Sequence, residues 1–507
     1  MKPIATRDEM QAIDAYSIHE IGIPGMVLME KASMALYDEV RKHLHHHSRC
    51  LIVVEKGNNG GDGLALARLL HEADYDVTIY EIGGIRKASD SYEAQKNILT
   101  KLGIFVKDQM PEEHFDVIVD GIFGVGLTRE VKGIQRQVIE RLNVMDAYRI
   151  AIDVPSGVDG TTGQVLGVGF MADLTVTFGL SKIGLLLYPG ASFAGEVIVK
   201  EIGFPKLAVE KAGCRVFCYE PGDEKYFPKR KSDSHKGTFG RVLIIAGSKN
   251  MAGAAYLSAF AAYRTGSGLV RIFTQESNRV ILQTKLPEAI LTTYESEVDG
   301  ADKLRETIAW ADAICFGPGM GTGRITRSFL HILKECAKVS VVLDADGLNE
   351  ISKMEQEGED YFAGYPVPVI LTPHMLEMSR LSGHTVAQLK EDRMNLAETY
   401  AKRKNLVLVL KDSRTVVTDG DAIYLNSYGN SGMATGGSGD VLTGILAGAL
   451  AAGMEPFDAA SMAVFLHSRA GDFAAEQMGE HSLMAGDIIK QIEKALGGKQ
   501  DGRRERI

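Results

Sequence analysis

The sequence predicts two α/β domains in tandem, each an open, doubly wound sheet layered between helices. Three observations carry that prediction. The chain has 507 residues, and at roughly 100–200 residues per domain this exceeds what one core can bury. Short apolar runs ending in glycine or aspartate alternate with amphipathic stretches along most of its length, the pattern of parallel strands joined by right-handed crossovers. The alternation lapses between about 219 and 236 in "YEPGDEKYFPKRKSDSHK". That stretch is charged and proline-bearing, so the boundary is placed there, with domains over 1–220 and 221–500.

In the first domain, helical spacing is expected over 6–20 and 25–43, ahead of the buried strand "CLIVVE". A helix after Gly63, strand "DVTIY", a helix over 93–102, strand "FDVIVD", a helix over 134–142 and strand "RIAIDV" follow, and "DLTVTFG" and "GEVIVKEIGF" complete the sheet. The second domain repeats the scheme with "RVLIIAGS", "GLVRIFT", "AICFGPG", "VSVVLDADG", "PVILTP" and "LVLVLK". The segment "TVVTDGDAIYLN" predicts a hairpin turning at Asp419 and Gly420. Helices are expected over 439–453 and 456–473, and the tail "GGKQDGRRERI" is expected to be disordered. No internal repeat relates the two halves.

Composition narrows the ligand class. Hydrophobic residues make up 45% and charged residues 24% of the chain, the balance of a globular protein with ample apolar surface to bury. The formal charge of −10 comes with no block of lysine or arginine, which argues against nucleic acid and for small molecules. The five cysteines, Cys50, Cys214, Cys218, Cys315 and Cys336, are scattered and odd in number, so neither a disulfide nor a zinc framework is expected. "CRVFC", holding Cys214 and Cys218, fits strand packing better than a metal site. "HLHHHS", with His43 and His45 to His47, reads as a solvated turn at a helix end. The N-terminus turns charged before an apolar core forms, and no apolar run reaches the ~18 residues of a membrane span. A cytoplasmic protein is expected.

The strongest chemical signal is "NSGMATGGSGDVLTGILAGALAAG" over 430–453. Gly436, Gly437 and Gly439 let backbone N–H groups face an anion, and the helix starting near Asp440 adds the partial positive charge of its N-terminus. A phosphate is expected there. An aspartate at a helix start also serves as a cap, but a carboxylate aimed at an anion is repulsive unless the chemistry uses it. Asp440 is therefore the candidate general base, taking a proton from a hydroxyl while N–H groups stabilise the transferring phosphoryl. "GPGMG" at Gly317 to Gly321, "DADGLN" at Asp344 to Asn349 and "LTPHMLEMSRL" end strands of the same domain and point to the same edge. In the last of these, His374 is a candidate for holding substrate.

In the first half, "GNNGGDG" over 57–63 follows a strand and opens a helix. It lacks the G-x-G-x-x-G spacing, because Asn59 and Asp62 stand where glycines belong. Its paired asparagines suit a ribose, a phosphate or a hard cation. "DGIFGVGLTRE", with Asp120, and "DVPSGVDG", with Asp153 and Ser156, end two later strands. Three polar strand-end loops on one edge make a site, with the carboxylates as proton carriers.

These segments together resemble the bifunctional NAD(P)H-hydrate repair enzymes, in which an NAD(P)H-hydrate epimerase domain is fused to an ADP- or ATP-dependent NAD(P)H-hydrate dehydratase domain. The markers are "GNNGGDG", "DVPSG", "HKGTFGRVLIIAGS", "LTPHMLEMSRL" and "GNSGMATGGSGDVLTG", in order across nearly the whole chain. The resemblance implies a Rossmann-like layered αβα domain followed by a ribokinase-like α/β domain. It implies that the first interconverts the R and S forms of the hydrates NADHX and NADPHX. The second would phosphorylate the S form and expel phosphate, restoring NAD(P)H.

Asn58, Asn59, Gly60, Gly61 and Asp62, with Gly124, Val125, Gly126, Leu127, Thr128, Arg129 and Glu130, would contact the hydrate in the first domain. Asn59, Asp120 and Ser156 would hold K+, and Asp153 would contact substrate and serve as acid/base. In the second domain Ala254, Gly319, His374 and Asp440 would line the hydrate site. Lys411, Asp412, Ser413, Arg414, Thr415 and Gly439 would bind the nucleotide, with Mg2+ on its phosphates. A homo-oligomer is implied, and the fusion points to ADP over ATP.

Two positions depart from the pattern. Asp412 stands where glycine is expected after the lysine, and its carboxylate must point away from the phosphates or be screened. Lys56 stands where small residues are common and changes only a flank. Two other readings compete: a ribokinase-like small-molecule kinase, and an N-terminal half that is a non-catalytic nucleotide-binding or interaction module.

Overall fold

Strand order in the N-terminal sheet shows where a ligand crevice must open. The computed structural model describes residues 1–83 and 87–497. It divides into one unit of Pro3–Val216 and another of Met1, Lys2 and the chain from Phe217 onward. In the first unit seven strands lie in the order Val106–Lys107, Asp76–Glu81, Arg49–Val54, Val117–Gly121, Tyr148–Ile152, Leu174–Phe178 and Glu196–Lys200. Every neighbouring pair is parallel. The chain winds outward from Arg49–Val54 in one direction, then restarts on its other side at Val117–Gly121. That reversal leaves a crevice at the carboxyl ends of these two strands.

From Cys50 to Val54 the central strand is apolar because both faces are covered. Cys50, Ile52 and Val54 meet Leu36, Leu64 and Leu70 of helices Gly25–Val40 and Asn58–Glu72 on one face. Leu51 and Val53 meet Val138, Ile139 and Leu142 of helix Gly133–Asn143 on the other. The helix expected over 6–20 is α-helical only over Arg7–Ala15, opened by a Thr6–Glu9 capping box, and continues as a π turn over Tyr16–Glu20. The helix expected to reach 43 ends at Val40 in a 3-10 turn, Arg41–His43, and His45 to His47 are exposed. Strands Lys2–Ala5 and Val106–Lys107 were not expected, being too short to show a period.

In the second unit the strands Ile290–Tyr294, Leu269–Gln275, Arg241–Ile245, Ala313–Phe316, Val341–Leu343, Val369–Leu371 and Val407–Leu410 are parallel neighbours in that order. The antiparallel hairpin Val416–Thr418 and Ile423–Leu425 follows. In its turn, Asp419 accepts N–H bonds from Asp421 and Ala422 at 2.9 Å each. The edge strand Ile290–Tyr294 was not anticipated, since half-buried threonines give it no clear apolar run. Helix Ser438–Ala451 begins one residue early, Pro456–Met478 runs five residues past expectation, and Ala485–Ala495 is additional.

The units divide just before the charged stretch 219–236. Phe217 and Tyr219 each pack a tilted ring against Tyr424 in the second core, which draws the start of that stretch into it. The tail expected to be disordered lies, from 498 on, outside the described residues. All five cysteines are free. Among the described residues, no helix is long and apolar enough to cross a membrane.

Helices Ala252–Thr265 and Ser438–Ala451 approach so closely that a Cβ on Gly444 would lie 2.2 Å from the Ser258 carbonyl oxygen. Gly444→Ala should therefore force the helices apart and destabilise this unit by about 1–3 kcal/mol. Gly486→Ala, on a helix with open space around it, should be neutral or stabilising. Thermal denaturation of the two variants separates these outcomes.

Candidate active sites

At the strand ends of the second unit one buried carboxylate organises the neighbourhood. Asp344 follows strand Val341–Leu343 and is 1% exposed. Its Oδ1 pairs with Lys411 Nζ at 2.8 Å, and its Oδ2 accepts from Thr443 Oγ1 at 2.7 Å. Thr443 lies one helical turn after Gly439, whose carbonyl also accepts from Thr443 Oγ1. The strand end, the Lys411 turn and the amino end of helix Ser438–Ala451 are thus tied together. A Cβ on Gly439 would come 3.3 Å from Lys411 Nζ, so the ammonium lies at the helix terminus. Burial pulls the Lys411 pKa down, but Asp344 and Glu377 outweigh it and hold the ammonium charged.

Gly437, with φ 90°, precedes this helix in a left-handed conformation that side-chain-bearing residues avoid. Asp440 sits in the first turn. Burial, and then the negative charges of Asp344 and Asp346, push its carboxyl up to about 7 against the pull of Lys411. A carboxyl at that value exchanges protons readily at neutral pH.

His374 caps helix Met375–Ser382, with Nδ1 accepting N–H bonds from Leu376 and Glu377 at 3.1 and 3.3 Å. The acceptor role puts the ring proton on Nε2, which lies 3.5 Å from Glu377 Oε1. Burial and then Lys411 lower the His374 pKa, in keeping with a neutral ring. Lys411 N donates to the Pro373 carbonyl at 2.8 Å, joining the two loops. Gly319 and Ala254 also meet, since a Cβ on Gly319 would lie 3.0 Å from Ala254 Cβ. His467, absent from the sequence reading, is buried at 3.3 Å from Ser438 Oγ, and burial lowers its pKa to about 4.

Turn 411–415 links Val407–Leu410 to Val416–Thr418. Asp412 does not stand bare beside Lys411. Its Oδ2 pairs at 2.6 Å with Nη2 of Arg393, a 6% exposed residue, and Arg393 Nη1 donates to the Arg414 carbonyl at 3.4 Å. Thr415 Oγ1 donates to the Asp412 carbonyl at 3.2 Å and Ser413 is exposed. Lys56, the other departure, turns toward Glu81 at 4.0 Å.

In the first unit, helix Asn58–Glu72 starts at the crevice. A Cβ on Gly60 would meet the Glu55 carbonyl oxygen at 1.9 Å, so the turn requires glycine there. A Cβ on Gly124 would lie 2.9 Å from Asn59 Oδ1, which brings the 124–130 loop onto Asn59. In that loop Leu127 is buried, whereas Gly126, Thr128, Arg129 and Glu130 are exposed. Asp120 is fully buried. Its Oδ1 accepts from Ser156 Oγ at 2.6 Å and Ile122 N at 3.1 Å, and its Oδ2 from Ser156 N at 2.8 Å. Burial raises Asp120 to about 6, and the Ser156 bonds limit the rise. Asp153, at φ 64°, is a non-glycine residue in left-handed backbone, strain of the kind that gathers at functional sites.

Two family models match the chain: "YjeF-related protein N-terminus" over residues 25–184 and "NAD(P)H-hydrate dehydratase" over 242–494. A bifunctional NAD(P)H-hydrate repair enzyme of Moorella thermoacetica is 36% identical over 96% of this chain and 95% of its own length. The chain belongs to the bifunctional NAD(P)H-hydrate repair enzymes. A relative of the same name from Thermofilum pendens is 34% identical over 97% of this chain and 96% of its own length. A ribokinase-like superfamily protein of Enterococcus faecalis, 28% identical over 56% of this chain and 95% of its own, superposes with a TM-score of 0.50. The chain is thus an NAD(P)H-hydrate epimerase joined to an NAD(P)H-hydrate dehydratase, which sets aside both competing readings.

Lys182, Asp14 and Arg393 escaped the sequence reading, because nothing in their local sequence marks them and only chain crossings far apart in sequence bring them to these sites. Removing Arg393 would leave Asp412 unpaired beside Lys411. Arg393→Met should destabilise the dehydratase unit by roughly 3 kcal/mol, the low end for a buried pair because Asp412 keeps some solvent. Urea denaturation checks this, and a second change, Asp412→Gly, should recover most of the loss.

Proposed function

We propose that dehydration runs on Asp440, with the nucleotide over turn 411–415 and its phosphates toward Gly439. The observation that carries this reading is the position of Asp440. It lies in the first turn of a helix whose amino end faces Lys411 Nζ, and its carboxyl is raised to about 7. Helix N–H groups and the ammonium favour negative charge on a transferring phosphoryl. Asp440 takes the proton of the hydrate hydroxyl as that oxygen attacks the terminal phosphorus of ADP or ATP. Phosphate then departs with the C–O electron pair, and loss of a proton from the adjacent carbon restores the dihydronicotinamide of NADHX or NADPHX. A hydroxyl leaves poorly and phosphate well, which is why nucleotide is consumed.

Ala254, Gly319 and His374 bind the hydrate, a role supported by the Gly319–Ala254 contact and by the bridge from the His374 strand end to Lys411. Lys411, Asp412, Ser413, Arg414, Thr415 and Gly439 hold the nucleotide, with ADP preferred. Magnesium fits as an ion carried on the phosphates. Among the described residues no group of three His, Cys, Asp or Glu side chains forms a cage, and magnesium keeps waters and favours phosphate oxygens.

In the epimerase, Asn58 to Asp62 and the loop from Gly124 to Glu130 receive the hydrate, and Asp153 is its acid/base. Potassium fits Asn59, Asp120 and Ser156. One end of the Asn59 amide is buried without a partner, and Asp120 Oδ2 has lone-pair capacity beyond its single hydrogen bond. A half-turn about χ2 presents the Asn59 oxygen instead of its nitrogen. The ion would supply a fixed positive charge to the hydrated cofactor. The set is one carboxylate plus neutral oxygens, suited to a monovalent cation.

Asp440→Asn should lower the dehydratase kcat by about 10²–10⁴-fold, the usual share of a general base, in recovery of dihydronicotinamide absorbance from S hydrate plus ADP. A base works ionised, so the wild-type rate should climb as pH passes about 7 and level above it. Replacing K+ with Na+ should slow epimerisation and leave dehydration unchanged, measured on each reaction separately.

A further inference from the structure

Around Asp153, Lys182 and Asp14 have no role yet, and Asp62 has only that of receiving the hydrate. Lys182, in strand Ser181–Lys182, is 1% exposed, and its ammonium donates to Asp153 Oδ1 at 2.5 Å, Thr177 Oγ1 at 2.7 Å and the Phe178 carbonyl at 2.8 Å. All three of its protons are spent, so it cannot reach a substrate. A buried ammonium requires a buried counter-charge, and Asp153 is the one it has. Asp153 Oδ1 also accepts from Thr177 Oγ1 at 3.0 Å, whereas Oδ2 carries no hydrogen bond among the described residues. That leaves Oδ2 as the acceptor open to a ligand.

Asp62 is the opposite case. It lies in the second turn of the helix that opens the crevice, and among the described residues its carboxyl has no cation and no hydrogen-bond donor. The negative charges of Asp153 and Asp14 both act on it. Burial first, and then those two charges, hold Asp62 well above the usual carboxylate range. Asp14, on helix Arg7–Ala15, is itself raised by burial, with His19 opposing and Asp153 adding to the rise. One carboxyl is therefore fixed by a cation while its neighbour lacks any, the arrangement that separates an acid from a base.

We propose that Asp62 is the proton donor and Asp153 the proton acceptor of epimerisation, with Lys182 the positioning residue that holds Asp153 in its role. This rests on the reading of Asp153 as acid/base. Hydration of an enamine double bond places the hydroxyl on the carbon beside the ring nitrogen, where the nitrogen lone pair stabilises loss of that group. Asp62 gives its proton to the hydroxyl oxygen, the C–O bond breaks, and water leaves with the bonding pair while the nitrogen lone pair forms C=N⁺. A water on the opposite face then adds. Its oxygen forms the new C–O bond, the C=N π electrons return to nitrogen, and Asp153 takes the released proton. Each turnover exchanges the protonation of the two carboxyls, and return through solvent or the reverse reaction resets them.

The test measures interconversion of S and R NADHX by the full chain without nucleotide, across a range of about pH 5 to 9. Asp62→Asn and Asp153→Asn should each cost about 10²-fold or more, and Asp62→Asn should also erase the fall in rate on the alkaline side. Lys182→Met should lower kcat by about 10-fold or more with KM little changed, and Lys182→Arg should restore it. Dehydration of S hydrate with ADP, carried by the other unit, reports that each variant is intact elsewhere. A wild-type rate and profile in Asp62→Asn overturns the donor assignment even if Asp153→Asn is inactive. A wild-type rate in Asp153→Asn instead sinks the underlying reading of that residue. If Lys182→Met fails to fold, Lys182→Arg with a kcat lowered as far as that of Asp153→Asn overturns the positioning role, because a retained cation must retain the rate.

Discussion

The buried carboxylate of Asp344 is the contact on which the dehydratase site depends. A charge with 1% exposure must be matched, and its two oxygens are matched by different parts of the chain, Lys411 from a strand end and Thr443 from helix Ser438–Ala451. The Lys411 ammonium and the amino end of that helix are therefore set by one residue between them. The same charge is among those that raise Asp440 toward neutral acidity. Placement of the cation and tuning of the base are one electrostatic arrangement.

The epimerase unit solves a similar problem without a cation on its central carboxylate. Asp120, at the equivalent strand-end position, is held by hydrogen bonds from Ser156 and Ile122 rather than by an ion pair. No ion pair meets it among the described residues, and burial raises its carboxyl to about 6. The lysine of this unit is spent one loop away on Asp153.

Most of the fold was legible because parallel strands buried on both faces are continuous apolar runs, as from Cys50 to Val54, in Ala313–Phe316 and in Val407–Leu410. The missed elements were edges, Val106–Lys107 and Ile290–Tyr294, where one side faces solvent and the apolar signal fades. Strand-end loops were legible for a related reason. Gly60, Gly437 and Gly439 are glycines because backbone or lysine atoms stand where a Cβ would be, or because φ is positive.

By itself the sequence determined the two α/β units and the strand-end loops from Asn58, Asp120, Asp153, His374 and Gly436 that carry polar groups. These follow from local period and turn chemistry, which neighbours in sequence encode. Only the tertiary structure decided which charges meet. Arg393 pairs with Asp412, 19 positions further along the chain, Lys182 pairs with Asp153, 29 positions back, and the charge of Asp153 acts on Asp14 in a helix that precedes the sheet. Coulomb energy and desolvation depend on distance through space and on burial, and neither is written in the order of the residues.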